Sequence, residues 1–60
     1  MTVTYKTNHA TTSKNMTEWY FGKEFVSSMT ASAKRMNKKN GEASFRFFKE
    51  GTGYLTINFN

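Results

Sequence analysis

From Ser44 to Phe59 the chain reads SFRFFKEGTGYLTINF, alternating apolar and polar residues on both sides of a glycine-rich turn. In steps of two, Phe45 and Phe47 share one face with Leu55, Ile57 and Phe59. Arg46, Phe48 and Tyr54 fall on the other face, with Thr56 and Asn58 as polar neighbours. Period-two alternation of this kind is the signature of a hairpin with one buried face. A three-residue loop, Gly51-Thr52-Gly53, sets Glu50 opposite Tyr54, Phe48 opposite Thr56, Phe47 opposite Ile57, Arg46 opposite Asn58 and Phe45 opposite Phe59. Gly53 then takes the left-handed position that such loops require. A loop one residue shorter or longer would mix the two faces.

The rest of the chain has to cover that apolar face with little material. Sixty residues make one domain, read here as spanning 1–60, and a chain of that size buries only about 60 % of the surface it exposes unfolded. There is no cysteine, one histidine (His9), four glutamates and no aspartate, so disulfides are excluded and a protein-only metal site is not expected. The core must come from one Trp, three Tyr and six Phe. TVTYKT, from Thr2, alternates with Val3 and Tyr5 on one side and reads as a half-buried strand. NHATTSKN consists of turn formers and small polar residues, and predicts a mobile loop around 8–16 with His9 solvated in it.

TEWYFGKEFV carries Trp19, Phe21 and Phe25 in alternation and many residues that favour strands, so we read it as a second strand. The competing reading is one helix from Thr17 to Lys39 with Trp19, Val26, Met29, Ala33 and Met36 on one stripe; Gly22 and the Ser27-Ser28 pair weaken it. Further on, Ser28 as N-cap, the spacing of Met29, Ala33 and Met36, the cations Lys38 and Lys39 and the glycine at 41 predict a helix over Met29 to Asn40. The expected fold is α+β: a small antiparallel sheet of about four strands in ββαββ order, with one helix on one face.

Catalysis needs a nucleophile beside a base, paired carboxylates or a metal. None of these patterns occurs, and we expect a non-enzymatic protein without a cofactor. Nine Lys and Arg against four Glu give a net charge of +5, which favours polyanionic partners. Lys34, Arg35, Lys38 and Lys39 lie away from Met29 and Met36 on the expected helix, with no glutamate between Glu24 and Glu42. A helix face of a single sign exceeds what solubility asks for. On the outer hairpin face, Arg46 beside Phe48 and Tyr54 has the elements of a single-strand nucleic-acid platform, where rings stack on bases and cations meet phosphates. The same face could instead be covered by the loop or be a seam between two copies of the chain. The polar N-terminus and apolar runs of at most three residues lead us to expect no leader or membrane contact and a cytoplasmic protein.

SSMTASAKRMNKKNG, from Ser27 to Gly41 and followed by a hairpin, resembles a layout found in very small phage-encoded host-modulating proteins, some anti-CRISPR proteins among them. The resemblance implies a non-enzymatic inhibitor in the host cytoplasm that sits on a nucleoprotein machine and blocks access to nucleic acid. It also implies Lys34, Arg35 and Lys38 as contact residues. The charge of +5 departs from the acidic mimics common in that class and suits covering a nucleic-acid path. The leading expectation is therefore a basic binding module for nucleic acid or a nucleoprotein complex. The alternatives are an inhibitor that binds an acidic host protein surface without nucleic acid, and a structural homo-oligomer, for which a homodimer is the simplest form.

Overall fold

Ser13 sets where the helical half of the chain begins. In the computed structural model, which describes residues 2–8 and 11–60, its hydroxyl accepts from the Met16 amide at 3.2 Å. Its carbonyl accepts both the Thr17 amide at 3.0 Å and the Thr17 hydroxyl at 2.8 Å. The Met16 bond satisfies a donor that a first helical turn otherwise leaves open, the Thr17 amide makes the first intrahelical bond, and a helix runs from Lys14 to Phe21 (α1). Ahead of it lie β1 (Val3–Lys6) and the two-residue β2 (Thr11–Thr12). After it come α2 (Lys23–Asn40), β3 (Ser44–Lys49) and β4 (Gly53–Phe59).

The α+β class stands, but the expected ββαββ order with about four strands and one helix does not: two helices pack on a sheet with three strands of full length, β2 being a two-residue edge. Residues 17–26 form no strand; they end α1 and begin α2. The strand-favouring WYF run is overridden because inward positions recur at helical spacing: Thr17 and Phe21 are buried on α1, and Val26 and Ala33 on α2. Residues 11–16, expected in a loop, supply β2, the cap and the first turn of α1. The reading of His9 as a solvated residue lies outside the described residues. The sheet is antiparallel in the order β2-β1-β4-β3, and its body is the three longer strands.

Gly22 separates the two helices. Its φ of 90° and ψ of 141° suit glycine alone; its N–H closes α1 on the Glu18 carbonyl at 2.9 Å, and its own carbonyl accepts from Val26 at 3.1 Å. Across the bend, Phe21 and Phe25 stack with ring centroids 5.8 Å apart. Lys49 Nζ, from β3, donates to the Phe21 carbonyl at 2.5 Å and lies 5.4 Å from the centre of the Phe25 ring. A cation at the C-terminal end of α1 satisfies an open carbonyl and suits the helix dipole. The predicted start at Ser28 is corrected, since Ser28 lies inside α2; the predicted end holds, with Gly41 left-handed at φ 76°.

Both helices lie on one face of the sheet. Phe21, Val26 and Ala33 pack with Tyr5, Leu55, Ile57 and Phe59, and Val3, Phe25, Met29, Phe45 and Phe47 border this cluster. Met36, expected in the core, is 43 % exposed. Tyr5 adds a polar tie, its hydroxyl 3.0 Å from that of Thr30 on α2. Thr17 is fully buried; because its proton goes to the Ser13 carbonyl, the 2.7 Å contact with Thr12 must use the Thr12 proton.

The hairpin keeps its expected faces in a different register. Phe48 pairs with Tyr54, Phe47 with Leu55, Arg46 with Thr56, Phe45 with Ile57 and Ser44 with Asn58. The turn closes one residue earlier than expected, the Thr52 amide donating to the Lys49 carbonyl at 3.0 Å. Gly51, at φ 84°, supplies the positive φ that a type II turn needs at its third position. Gly53, expected in the loop, pairs with Lys49 instead. Each residue's partner moves by two positions, an even step, so parity is preserved and the apolar side chains stay inside.

Gly22→Ala forces a side chain into a glycine-only conformation and should lower the unfolding free energy by about 1–3 kcal/mol. Urea denaturation followed by far-UV circular dichroism measures it; an unchanged midpoint contradicts the role of the bend. Thr17→Val keeps the shape, but strips Thr12 of its acceptor, and should cost about 1–3 kcal/mol in the same measurement.

Candidate nucleic-acid interface

With both helices on one side, no helix or strand among the described residues covers the opposite face of the sheet. Its side chains are set by the pairing of β1, β4 and β3, and they form three rows. Nearest the turn, Phe48 and Tyr54 stand opposite each other. In the middle, Lys6, Thr56 and Arg46 line up across three strands, and beyond them come Thr4, Asn58 and Ser44. Neighbouring strands lie about 4.8 Å apart, which puts the Lys6 and Arg46 backbones about 10 Å apart with Thr56 between them. The face is therefore graded from aromatic through cationic to neutral polar.

Phe48 and Tyr54 are 59 % and 44 % exposed. Their ring centroids lie 5.0 Å apart with planes inclined at 57°, within the range of favourable aromatic pairs. The Arg46 guanidinium carbon sits 4.9 Å from the centre of the Tyr54 ring, a cation–π distance. Arg46 thus engages Tyr54, and Phe48 is left as the more open ring. Lys6, Asn8, Arg46, Tyr54, Thr56 and Asn58 are among the residues lining a shallow concavity of about 360 Å³ on this face. Rings that offer flat apolar area, beside cations and amide or hydroxyl groups, can stack on planar bases and neutralise phosphates.

The structure brings Arg46, Phe48 and Tyr54 together as the alternation predicts. It does not bring Lys34, Arg35, Lys38 and Lys39 to them. Ala33 is fully buried towards the sheet. At about 100° per residue, these four cations lie roughly 100°, 200°, 140° and 240° around α2 from it. They are exposed and centred on the side pointing away from the sheet, so the two predicted groups occupy opposite sides of a two-layer molecule. Arg35 Nη2 reaches only as far as the Ser32 hydroxyl, at 3.3 Å.

Sequence reasoning missed Lys6 and Asn8 as members of the open face. The alternation of TVTYKT does turn Lys6 outward, but only the pairing of Lys6 with Thr56 puts it in line with Arg46. Asn8 Oδ1 accepts from the Tyr54 amide at 3.4 Å, a long-range contact with no local signal. Also missed were the exposed side chains of α1: Trp19 is 81 % exposed, Tyr20 55 % and Met16 47 %. Among the described residues no group of histidines or acids is placed to hold a metal ion, and no helix is long and apolar enough to cross a membrane. No family model, curated protein or solved structure matches the chain, so a functional reading rests on the geometry of this face.

Proposed function

We propose that the protein is a small non-enzymatic module that binds single-stranded nucleic acid across the open face of its sheet. The observation that carries this reading is the juxtaposition of the exposed Phe48–Tyr54 pair with the row Lys6–Thr56–Arg46. Phe48, with Arg46 beside it, supplies the stacking surface; Lys6 and Arg46 take phosphates; Thr56 and Asn58 offer neutral hydrogen bonds. A duplex would hide its bases from this face, whereas an unpaired strand presents them. The exposed cations of α2 add a positive field that draws a polyanion in without touching the strand. Such a module covers its strand sterically, which is the action an inhibitor of the phage-encoded kind would need, although that biological role rests on the resemblance at Ser27 to Gly41 alone.

A second reading attaches to α2. Lys34, Arg35, Lys38 and Lys39 share an arc with no aromatic residue on it, and cations without a stacking surface suit an acidic protein patch as well as a phosphate.

Anisotropy of a labelled single-stranded oligonucleotide tests the leading reading. Phe48→Ala removes an exposed ring and should leave the circular dichroism spectrum intact, while binding weakens by about 1–3 kcal/mol with little dependence on base. Two phosphates neutralised by Lys6 and Arg46 give a log–log salt slope of about −1.4, and Arg46→Ala should reduce its magnitude by about 0.7. Equal affinity of wild type and Phe48→Ala overturns the reading. So does a Phe48→Ala variant that converts a dimer to a monomer in sedimentation, because the face would then be a seam between copies.

A further inference from the structure

We propose that the concavity between α1 and the turn end of the hairpin is a second base-binding pocket, continuous with the open face. The inference rests on the single-strand reading and extends it to where the next nucleotide goes. The concavity measures about 430 Å³, with Tyr20 and Phe21 of α1 on one side and Thr52 and Tyr54 of the hairpin on another. That volume lies within the range of about 300–1,000 Å³ usual for small-molecule sites. Asn8 and Thr12 supply polar groups to its lining.

Two of the polar groups, those of Asn8 and Thr12, have a definite role left to them. The Asn8 carbonyl oxygen accepts from the Tyr54 amide, which leaves its amide nitrogen as a donor. That nitrogen lies 2.5 Å from where a Cβ at residue 53 would stand, so the amide can lie against the hairpin only because residue 53 is glycine. The Thr12 hydroxyl has committed its proton to Thr17 and can only accept. Asn8 and Thr12 thus contribute a donor and an acceptor beside the rings of Tyr20, Phe21 and Tyr54, Thr7 and Thr52 complete the lining, and no Lys or Arg is among the described lining residues.

This chemistry selects the occupant. A phosphate would find no Lys or Arg among the described lining residues, and an aliphatic chain would cover the Asn8 amide nitrogen without offering it an acceptor, which is costly. A nucleobase is planar, neutral and edged with both acceptors and donors. Continuity gives the path: Tyr54 and Asn8 line this pocket and also the shallow groove that contains Lys6 and Arg46. A strand with its phosphates on the Lys6–Arg46 row and one base on Phe48 can therefore turn past Tyr54 and place its next base against Tyr20.

The test is a titration of the ¹⁵N-labelled protein with a single-stranded hexanucleotide of mixed sequence, followed by NMR. The Asn8 side-chain amide and the Thr52 backbone amide report on the pocket; the Arg46 and Thr56 amides report on the face. Both sets should shift in the wild type. Tyr20 is 55 % exposed, so Tyr20→Ala should stay folded, lose the pocket shifts, keep the face shifts and bind about tenfold more weakly. Face shifts with a silent pocket, or a Tyr20→Ala variant that binds like wild type, overturn the pocket and leave the face reading standing. Pocket shifts with a silent face sink the face reading instead, and silence in both sets sinks both.

Discussion

The fold depends on how Phe21, Val26 and Ala33 close over Leu55 and Ile57. Each of these side chains is essentially buried, and together they bind the helical layer to one face of the sheet. A chain of sixty residues has enough helix to cover that face once. Gly22 makes the covering compact: it bends the helical segment so that Phe21 and Phe25 stack across the break, and Lys49 reaches back from the sheet to hold the end of α1. Among the described residues, no helix or strand covers the second face of the sheet. Its character follows from strand parity, because every residue between two inward-facing apolar residues must face out.

That parity is legible in the sequence itself. The alternation from Ser44 to Phe59 assigns Phe45, Phe47, Leu55, Ile57 and Phe59 inward and Arg46, Phe48 and Tyr54 outward, as the sheet has them. The register is not legible, because Gly51 and Gly53 both adopt positive φ and sequence alone does not say which one makes the turn. The end of α2 can be read from Gly41, whose left-handed φ few other residues adopt at low cost. Its start cannot: Ser28 has the chemistry of a cap, but the side chain that caps a helix is Ser13, ahead of α1. Local preference also misleads at Trp19, Tyr20 and Phe21, where strand-favouring residues occupy a helix. The helical stripe beneath them passes through Thr17, a polar residue whose burial is offset by two hydroxyl hydrogen bonds. A hydrophobic pattern search has no reason to count a threonine as core.

The candidate site is half visible in the sequence for the same reason. Residues on one hairpin share a face by parity, so Arg46, Phe48 and Tyr54 can be grouped. Lys6, Asn8 and Tyr20 join them only through the β1–β4 pairing and the packing of α1, which are long-range facts. The cations of α2, grouped with the trio on charge alone, prove to sit on the other layer. One basic patch becomes two surfaces of different chemistry: a graded aromatic and cationic face on the sheet, and a purely cationic arc on the helix.

The central claim is that an unpaired strand lies on the sheet face with a base against Phe48. Photocrosslinking addresses it most directly. A single-stranded oligonucleotide carrying 5-iodouracil is bound and irradiated, and the crosslinked residue is located by peptide mass spectrometry. The account predicts crosslinks at Phe48 or Tyr54, and none from a duplex of the same sequence. Crosslinks confined to the α2 segment from Lys34 to Lys39, or equal yield from duplex and single strand, would contradict it.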